Sequence, residues 1–174
     1  MTGVKLKRNK LKNLLKFLIL FNLFSIPMYL IIILNVQFYA LQLLTANLVS
    51  VTLNFSGVSS ELNDLLISVP VRDGYFAGSI DWDCTGWKSV LAFFALVFAT
   101  EAPIKKKLYG LIFVPMIYVI NILRVSFVFY FVSAYDVNYF ELIHSFLWSF
   151  GMILVVLFLW IIWLKYFKVF EKKY

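Results

Sequence analysis

LYGLIFVPMIYVINILRVSFVFYFVSA, residues 108–134, carries a single charged side chain, Arg124. A bilayer needs roughly 20 apolar residues to be crossed by a helix, and this stretch exceeds that. A charge at membrane depth costs at least ~2.5–3.5 kcal/mol on insertion scales, so it is normally retained for a partner or a reaction. The chain also has one cysteine, Cys84, and one histidine, His144, each at the edge of another apolar run.

The composition extends the membrane reading to the whole chain. Of 174 residues 63% are hydrophobic and 14% charged, where a soluble domain is about 45–50% apolar. One integral membrane domain over residues 1–174 is expected. The net charge of +7 does not point to nucleic acid, because the basic residues form no single patch. They gather at Lys5 to Lys16, Lys105 to Lys107 and Lys165 to Lys173, each beside an apolar run, which is the positive-inside pattern. A single cysteine excludes an intramolecular disulfide. Phe17 to Leu34 is uncharged and longer than a signal-peptide core, so it reads as a retained span.

The first span covers roughly Leu14 to Leu34, with Pro27 as an expected kink. Val36 to Asn54 is less apolar and reads as a helix lying against the outer face or dipping into it. Phe55 to Asp83 holds three glycines, five acids and β-favouring pieces such as Leu66 to Val71. Arg72-Asp73-Gly74 is a turn signal between two short strands. Membrane sequence resumes from Cys84 to Thr100, again from Leu108 to about Ala134, and last from Ile143 to Leu164. The fold class is therefore an all-α polytopic membrane protein. It has about four transmembrane helices, an interfacial helix and a small extracytoplasmic β element. The expected organisation is a cytoplasmic basic tail (1–13), an extracytoplasmic β-rich insert (55–83), catalytic helices (84–164) and a cytoplasmic tail (165–174).

Placing the N-tail, the Lys105 loop and the C-tail in the cytoplasm puts 13 of the 16 basic residues inside. A fifth span at 36–54 would set the N-tail and the Lys105 loop on opposite sides, so four spans are preferred. Cys84, Arg124 and His144 then converge on the outer leaflet of the cell membrane. A cysteine is nucleophilic as thiolate, which a helix N-terminus or a nearby cation favours. Cys84 has a helix start, an Asp83 cap and Arg124 or Lys88 within expected reach. A histidine could take the thiol proton and return it to a leaving amine, and Arg124 could hold an oxyanion. Plainer roles compete. A lone cysteine in a membrane helix is often apolar filler, and His144 near Trp148 suits an interfacial anchor. Asn121 could simply hydrogen-bond a neighbouring helix, while Trp82, Trp87 and Trp148 suit an outer aromatic belt.

Cys84-Thr85-Gly86-Trp87-Lys88-Ser89 resembles the C-[ST]-G-x-[RK]-S block of the exosortase/archaeosortase family, and Asn121-Ile-Leu-Arg124-Val resembles its N-x-x-R-[VI] block. His144, at the head of the last helix, matches that family's third site, and the order of the blocks matches too. The resemblance covers roughly Phe55 to Leu164. It implies a membrane transpeptidase that cleaves a C-terminal sorting signal, composed of a short motif, a transmembrane helix and a basic tail. Cys84 would be the nucleophile, Arg124 and His144 would complete the site, and Thr85, Gly86, Lys88, Ser89 and Asn121 would support it. Exported proteins would be the substrates and a lipid the acceptor; no metal, cofactor or nucleic acid is called for. The competing readings are a hydrolytic membrane cysteine protease and a non-enzymatic subunit whose Arg124 pairs with a carboxylate on a partner helix.

Overall fold

The computed structural model describes residues 2–72, 74–135 and 150–167, with side chains from residue 8 onward. Helix α1 (Thr2–Phe24) is followed by α2 (Ile26–Ile33), the two separated at Ser25. Pro27, in the first turn of α2, has no N–H to continue the ladder. The Ser25 N–H and hydroxyl both donate to the Phe21 carbonyl, at 3.0 and 2.8 Å, and the expected kink falls within two residues of the proline. Helices α4 (Trp87–Ala99), α5 (Ile104–Gly110), α6 (Phe113–Ala134) and α7 (Met152–Tyr166) complete the bundle. Two helical stretches, Arg8–Ile33 and Ile104–Ala134, are long and apolar enough to cross a membrane. Helices α4 and α7 are apolar but shorter.

Helix α6 is apolar all round because it is a wall shared by two cores. On one side Ile122, Val125 and Phe129 pack with Ala46, Val49 and Leu53 of α3 (Tyr39–Phe55) and with sheet residues Ile67 and Val69. On the other, Ile117 packs with Phe93 and Val97 of α4 and with Val156, Leu159 and Trp163 of α7. Between these faces Met116, Val119, Leu123 and Phe127 form an exposed apolar stripe at helical spacing. Such a stripe suits lipid rather than water.

Helix α3 turns a mixed face inward, with polar residues beside Ala46, Val49 and Leu53. Its polar Gln42, Thr45 and Ser50 are buried, while Leu44, Val51 and Phe55 are exposed. The Gln42 side chain donates to the Ile80 carbonyl (3.3 Å), Thr45 meets the Tyr118 hydroxyl (3.1 Å), and Ser50 meets Ser60 (2.8 Å). The outward-facing Asn47 donates back to its own helix at the Leu43 carbonyl, which satisfies it without water.

Between α3 and α4 lies an antiparallel sheet in the order β1 (Glu61–Asn63), β2 (Leu66–Val71), β3 (Gly74–Ser79). β2 and β3 flank the Arg72-Asp73 step, with Val71 opposite Gly74. Gly78 lets β3 lie against α6, since a Cβ there would come within 2.9 Å of the Phe129 ring. At the far end of the bundle, the Lys16 ammonium pairs with Glu101 at 2.5 Å. The Lys107 ammonium donates to the Phe98 carbonyl, closing the end of α4. The Trp163 indole donates to the Lys106 carbonyl at 3.0 Å. Lys105–Lys107 open α5 rather than forming the expected loop, and they meet Lys16 and the end of α7 at one pole, with the sheet at the other.

Candidate active site

The sequence from Trp82 to Ser89 folds as a tight hinge between sheet and bundle. Trp82–Thr85 is a single 3₁₀ turn, Gly86 follows in the left-handed region (φ +77°), and α4 begins at Trp87. Cys84 therefore lies in the turn ahead of α4, outside the helical spans, and does not begin the helix as its sequence context suggested. Gly86 occupies the N-cap position of α4, and Asp83 provides no cap. Its carboxylate instead pairs with Lys88 at 2.8 Å, so Lys88, which also lies over the Trp87 ring, is already engaged by an acid. The Thr85 hydroxyl, buried, donates to the Trp82 carbonyl at 2.8 Å and closes the turn. Trp82 stacks on Trp87 at 5.4 Å, and Phe38 tilts against Trp82. Trp87 is 7% exposed, so these two rings brace the hinge from within rather than standing in an interfacial belt.

Asn121, fully buried on α6, locks the turn from below. Its amide Nδ2 donates to the Cys84 carbonyl at 2.7 Å, and its Oδ1 has no partner among the described residues. A Cβ at Gly86 would come within 2.8 Å of the Asn121 Cγ, so glycine is required there for space as well as for φ. Gly86→Ala is expected to cost about 1–3 kcal/mol of stability, from left-handed strain plus displaced Asn121. Thermal melting of the detergent-solubilised variant measures this, and an unchanged melting temperature would contradict the lock.

Cys84 and Arg124 both line a cavity of about 740 Å³ between β3, α3 and α6. A second cavity of about 580 Å³ lies between α1, α2, α4, α6 and α7, lined by Asn121 and Ser89 and by apolar Leu96, Ile153, Val156 and Leu157. Arg124 and Asp83 border both. Burial pushes the Cys84 thiol above its usual range. A hydrogen bond to the thiol from the Asp81 backbone and the Arg124 charge pull it down, while the Asp81 and Asp83 carboxylates push it up. The balance is a protonated thiol at neutral pH, opposite to the thiolate expected from a helix terminus.

That balance is measurable. Alkylation of Cys84 by iodoacetamide should reach half its maximal rate above the pH of about 8.5 at which a free cysteine does. Arg124→Met should move the midpoint higher still and Asp83→Asn lower. A wild-type midpoint below that of free cysteine would overturn the assignment of burial as the dominant influence.

The transmembrane exosortase family matches over residues 6–164. The chain belongs to the transmembrane exosortase family. No curated protein and no solved structure matches it. Exosortase membership implies a membrane transpeptidase or protease, with a protein as substrate. The matched stretch contains both cavities, the Cys84 turn and Arg124. In this exosortase, Cys84, Arg124 and Asp83 share one cavity wall, whereas Asn121 and Ser89 face the second cavity. His144 lies outside the described residues. Sequence reading missed Asp81, whose backbone carbonyl accepts the Cys84 N–H, and Gln42, whose amide holds the Ile80 carbonyl beside the turn. Neither carries a local signal, since Asp81 acts through its main chain and Gln42 through a carbonyl 38 positions away.

Proposed function

We propose that this exosortase is a membrane cysteine transpeptidase with Cys84 as nucleophile. The observation that carries this reading is that Cys84 and Arg124, 40 positions apart, line one cavity and interact electrostatically. The Cys84 Sγ bonds to the carbonyl carbon of the scissile peptide while the thiol proton passes to a base. The C–N bond then breaks, the proton goes to the departing amine, and a thioester remains. An acceptor amine attacks the thioester, forms a new amide and regenerates the thiol. A thiol held protonated needs a base, and His144 is assigned that role from its place in the family's block order. Arg124 supplies fixed positive charge for the oxyanion of both tetrahedral intermediates. The substrates are exported proteins ending in a motif, an apolar helix and a basic tail. The largely apolar second cavity, polar near Arg124, favours a lipid amine over water as acceptor.

The placement of Arg124 supports an outward-facing site. Ile104–Ala134 is 31 residues long, or about 46 Å at 1.5 Å per residue, against a hydrocarbon core of ~30 Å. Counted from Lys107, Arg124 lies about 25 Å along this stretch, in the outer half of the core, and the last turns of α6 reach beyond it. Four spans with both termini cytoplasmic satisfy this and the clustering of basic residues. On a Cys84→Ala background, Ser59→Cys, exposed ahead of β1, should react with an impermeant maleimide in whole cells. Lys10→Cys should react only after permeabilisation; the reverse pattern would invert the orientation.

The chemistry is tested by trapping. Epitope-tagged enzyme isolated from acid-quenched membranes should carry a covalently attached polypeptide that neutral hydroxylamine releases, as it does a thioester. The adduct should be missing from Cys84→Ala. An adduct that survives in that variant would remove Cys84 from the chemistry.

A further inference from the structure

Among the described residues, the edge of the sheet that faces the cavity is unguarded. In an antiparallel ladder, hydrogen-bonded and non-bonded pairs alternate. The Ile80 N–H bonds the Leu65 carbonyl at 2.9 Å, and the β2–β3 register sets Ile67 opposite Gly78, Val69 opposite Phe76 and Pro70 opposite Tyr75. Gly78 and Phe76 therefore direct their backbone groups toward β2, and proline, which has no N–H, falls at a non-bonded position. Tyr75, Ala77 and Ser79 direct theirs the other way, along the outer edge of β3. No strand pairs with that edge among the described residues. Proteins usually guard such an edge with charge, proline or a covering element. β3 reads Gly-Tyr-Phe-Ala-Gly-Ser, with neither charge nor proline, and its last three residues are small enough to admit another backbone.

The cavity follows this edge. A pocket under one face of a strand would touch alternate residues, but this one is lined by the unbroken run from Phe76 to Cys84. Opposite lie Val125, Val128 and Phe129 of α6. We propose that the outer edge of β3 binds the polypeptide substrate as a fourth strand. The residues before the scissile bond pair with the backbone of Tyr75, Ala77 and Ser79, and the chain runs on to the Cys84 thiol. Five strand residues span about 16 Å, so the enzyme grips about five residues of an extended segment. Every second side chain of that segment meets Val125, Val128 and Phe129 and is apolar. Main-chain pairing supplies the grip and these alternate positions the selectivity, as in other strand-addition sites.

This assignment rests on Cys84 as nucleophile, and the experiment separates the two. Ala77→Pro deletes one outward N–H without touching a bond to β2. It should lower the hydroxylamine-releasable adduct about tenfold, the effect of one lost hydrogen bond that leaves its partner carbonyl unpaired. Iodoacetamide, which needs no strand, should still alkylate Cys84 in that variant at close to the wild-type rate. Ala77→Val retains the N–H and should form several times more adduct than Ala77→Pro. Equal adduct in Ala77→Pro and wild type overturns the fourth strand and leaves the nucleophile standing. Equal loss in both variants also overturns it, pointing to side-chain crowding. The edge is judged without chemistry by a benzophenone amino acid at Ser79 in Cys84→Ala protein. It should cross-link to polypeptides within the few residues preceding a C-terminal apolar segment. Cross-links elsewhere, or none, overturn the proposal even where Cys84 proves reactive.

Discussion

Cys84→Ala is expected to abolish processing of the substrate protein while the variant accumulates in the membrane at the wild-type level. Only one sulfur is lost from a half-buried position, so the fold should lose no more than about 1 kcal/mol. The chemistry loses its electron-pair donor, and removing a protease nucleophile lowers turnover on the order of 10⁶-fold. Cys84→Ser should be almost as inactive. A hydroxyl is far harder to deprotonate than a thiol, and burial beside Asp81 and Asp83 disfavours an anion there further. The measurement is the ratio of full-length to shortened substrate over time, beside an immunoblot of the enzyme. Continued shortening in Cys84→Ala would assign the reaction to another protein.

Arg124→Lys is the sharper second test, because the charge remains and the shape changes. The guanidinium borders both cavities, and its planar fork of donors reaches two directions at once; an ammonium on a flexible stem does not. If arginine holds the oxyanion in both half-reactions, the loss should be about 10²–10³-fold. Adduct formation and adduct resolution should slow together. Near-normal processing would reduce Arg124 to a diffuse positive charge, and slowing of one step alone would confine it to that half-reaction.

Much of this is legible in the sequence. Leu108 to Ala134 declares a membrane helix by length and composition, and Pro27 marks the α1–α2 break because a missing N–H is a local property. The β2–β3 hairpin was legible from Arg72-Asp73-Gly74 between two β-favouring runs. The proximity of Cys84 to Arg124 followed from counting spans from one basic cluster to the next. What failed was environment. The sequence around Cys84 suggests a helix start and hence an ionised thiol, but Gly86 delays α4 until Trp87 and interposes a turn. Sequence offers no measure of burial at such a turn, and burial dominates. Trp82 and Trp87 were read as a belt because position relative to the apolar runs says nothing about whether two rings stack. Helix α3 resisted assignment for a related reason. Polar periodicity marks a face but does not say whether that face meets water or protein, and here it meets protein.

The polar residues on the buried face of α3 have a consequence for biogenesis. Every long-range polar partner of its buried side chains, Ser60, Ile80 and Tyr118, lies later in the chain. When α3 leaves the ribosome none of them exists, and its Gln42 and Ser50 would enter lipid unmatched, whereas Thr45 already donates to the Leu41 carbonyl of its own helix. Gln42 and Ser50 gain their partners once Ile80 and Ser60 have been made, and the packing of Ala46, Val49 and Leu53 on α6 follows only when α6 is in place. Assembly of the site is in this sense clocked by translation: the segment that closes the chamber is made before the wall carrying Arg124 and settles onto it afterwards.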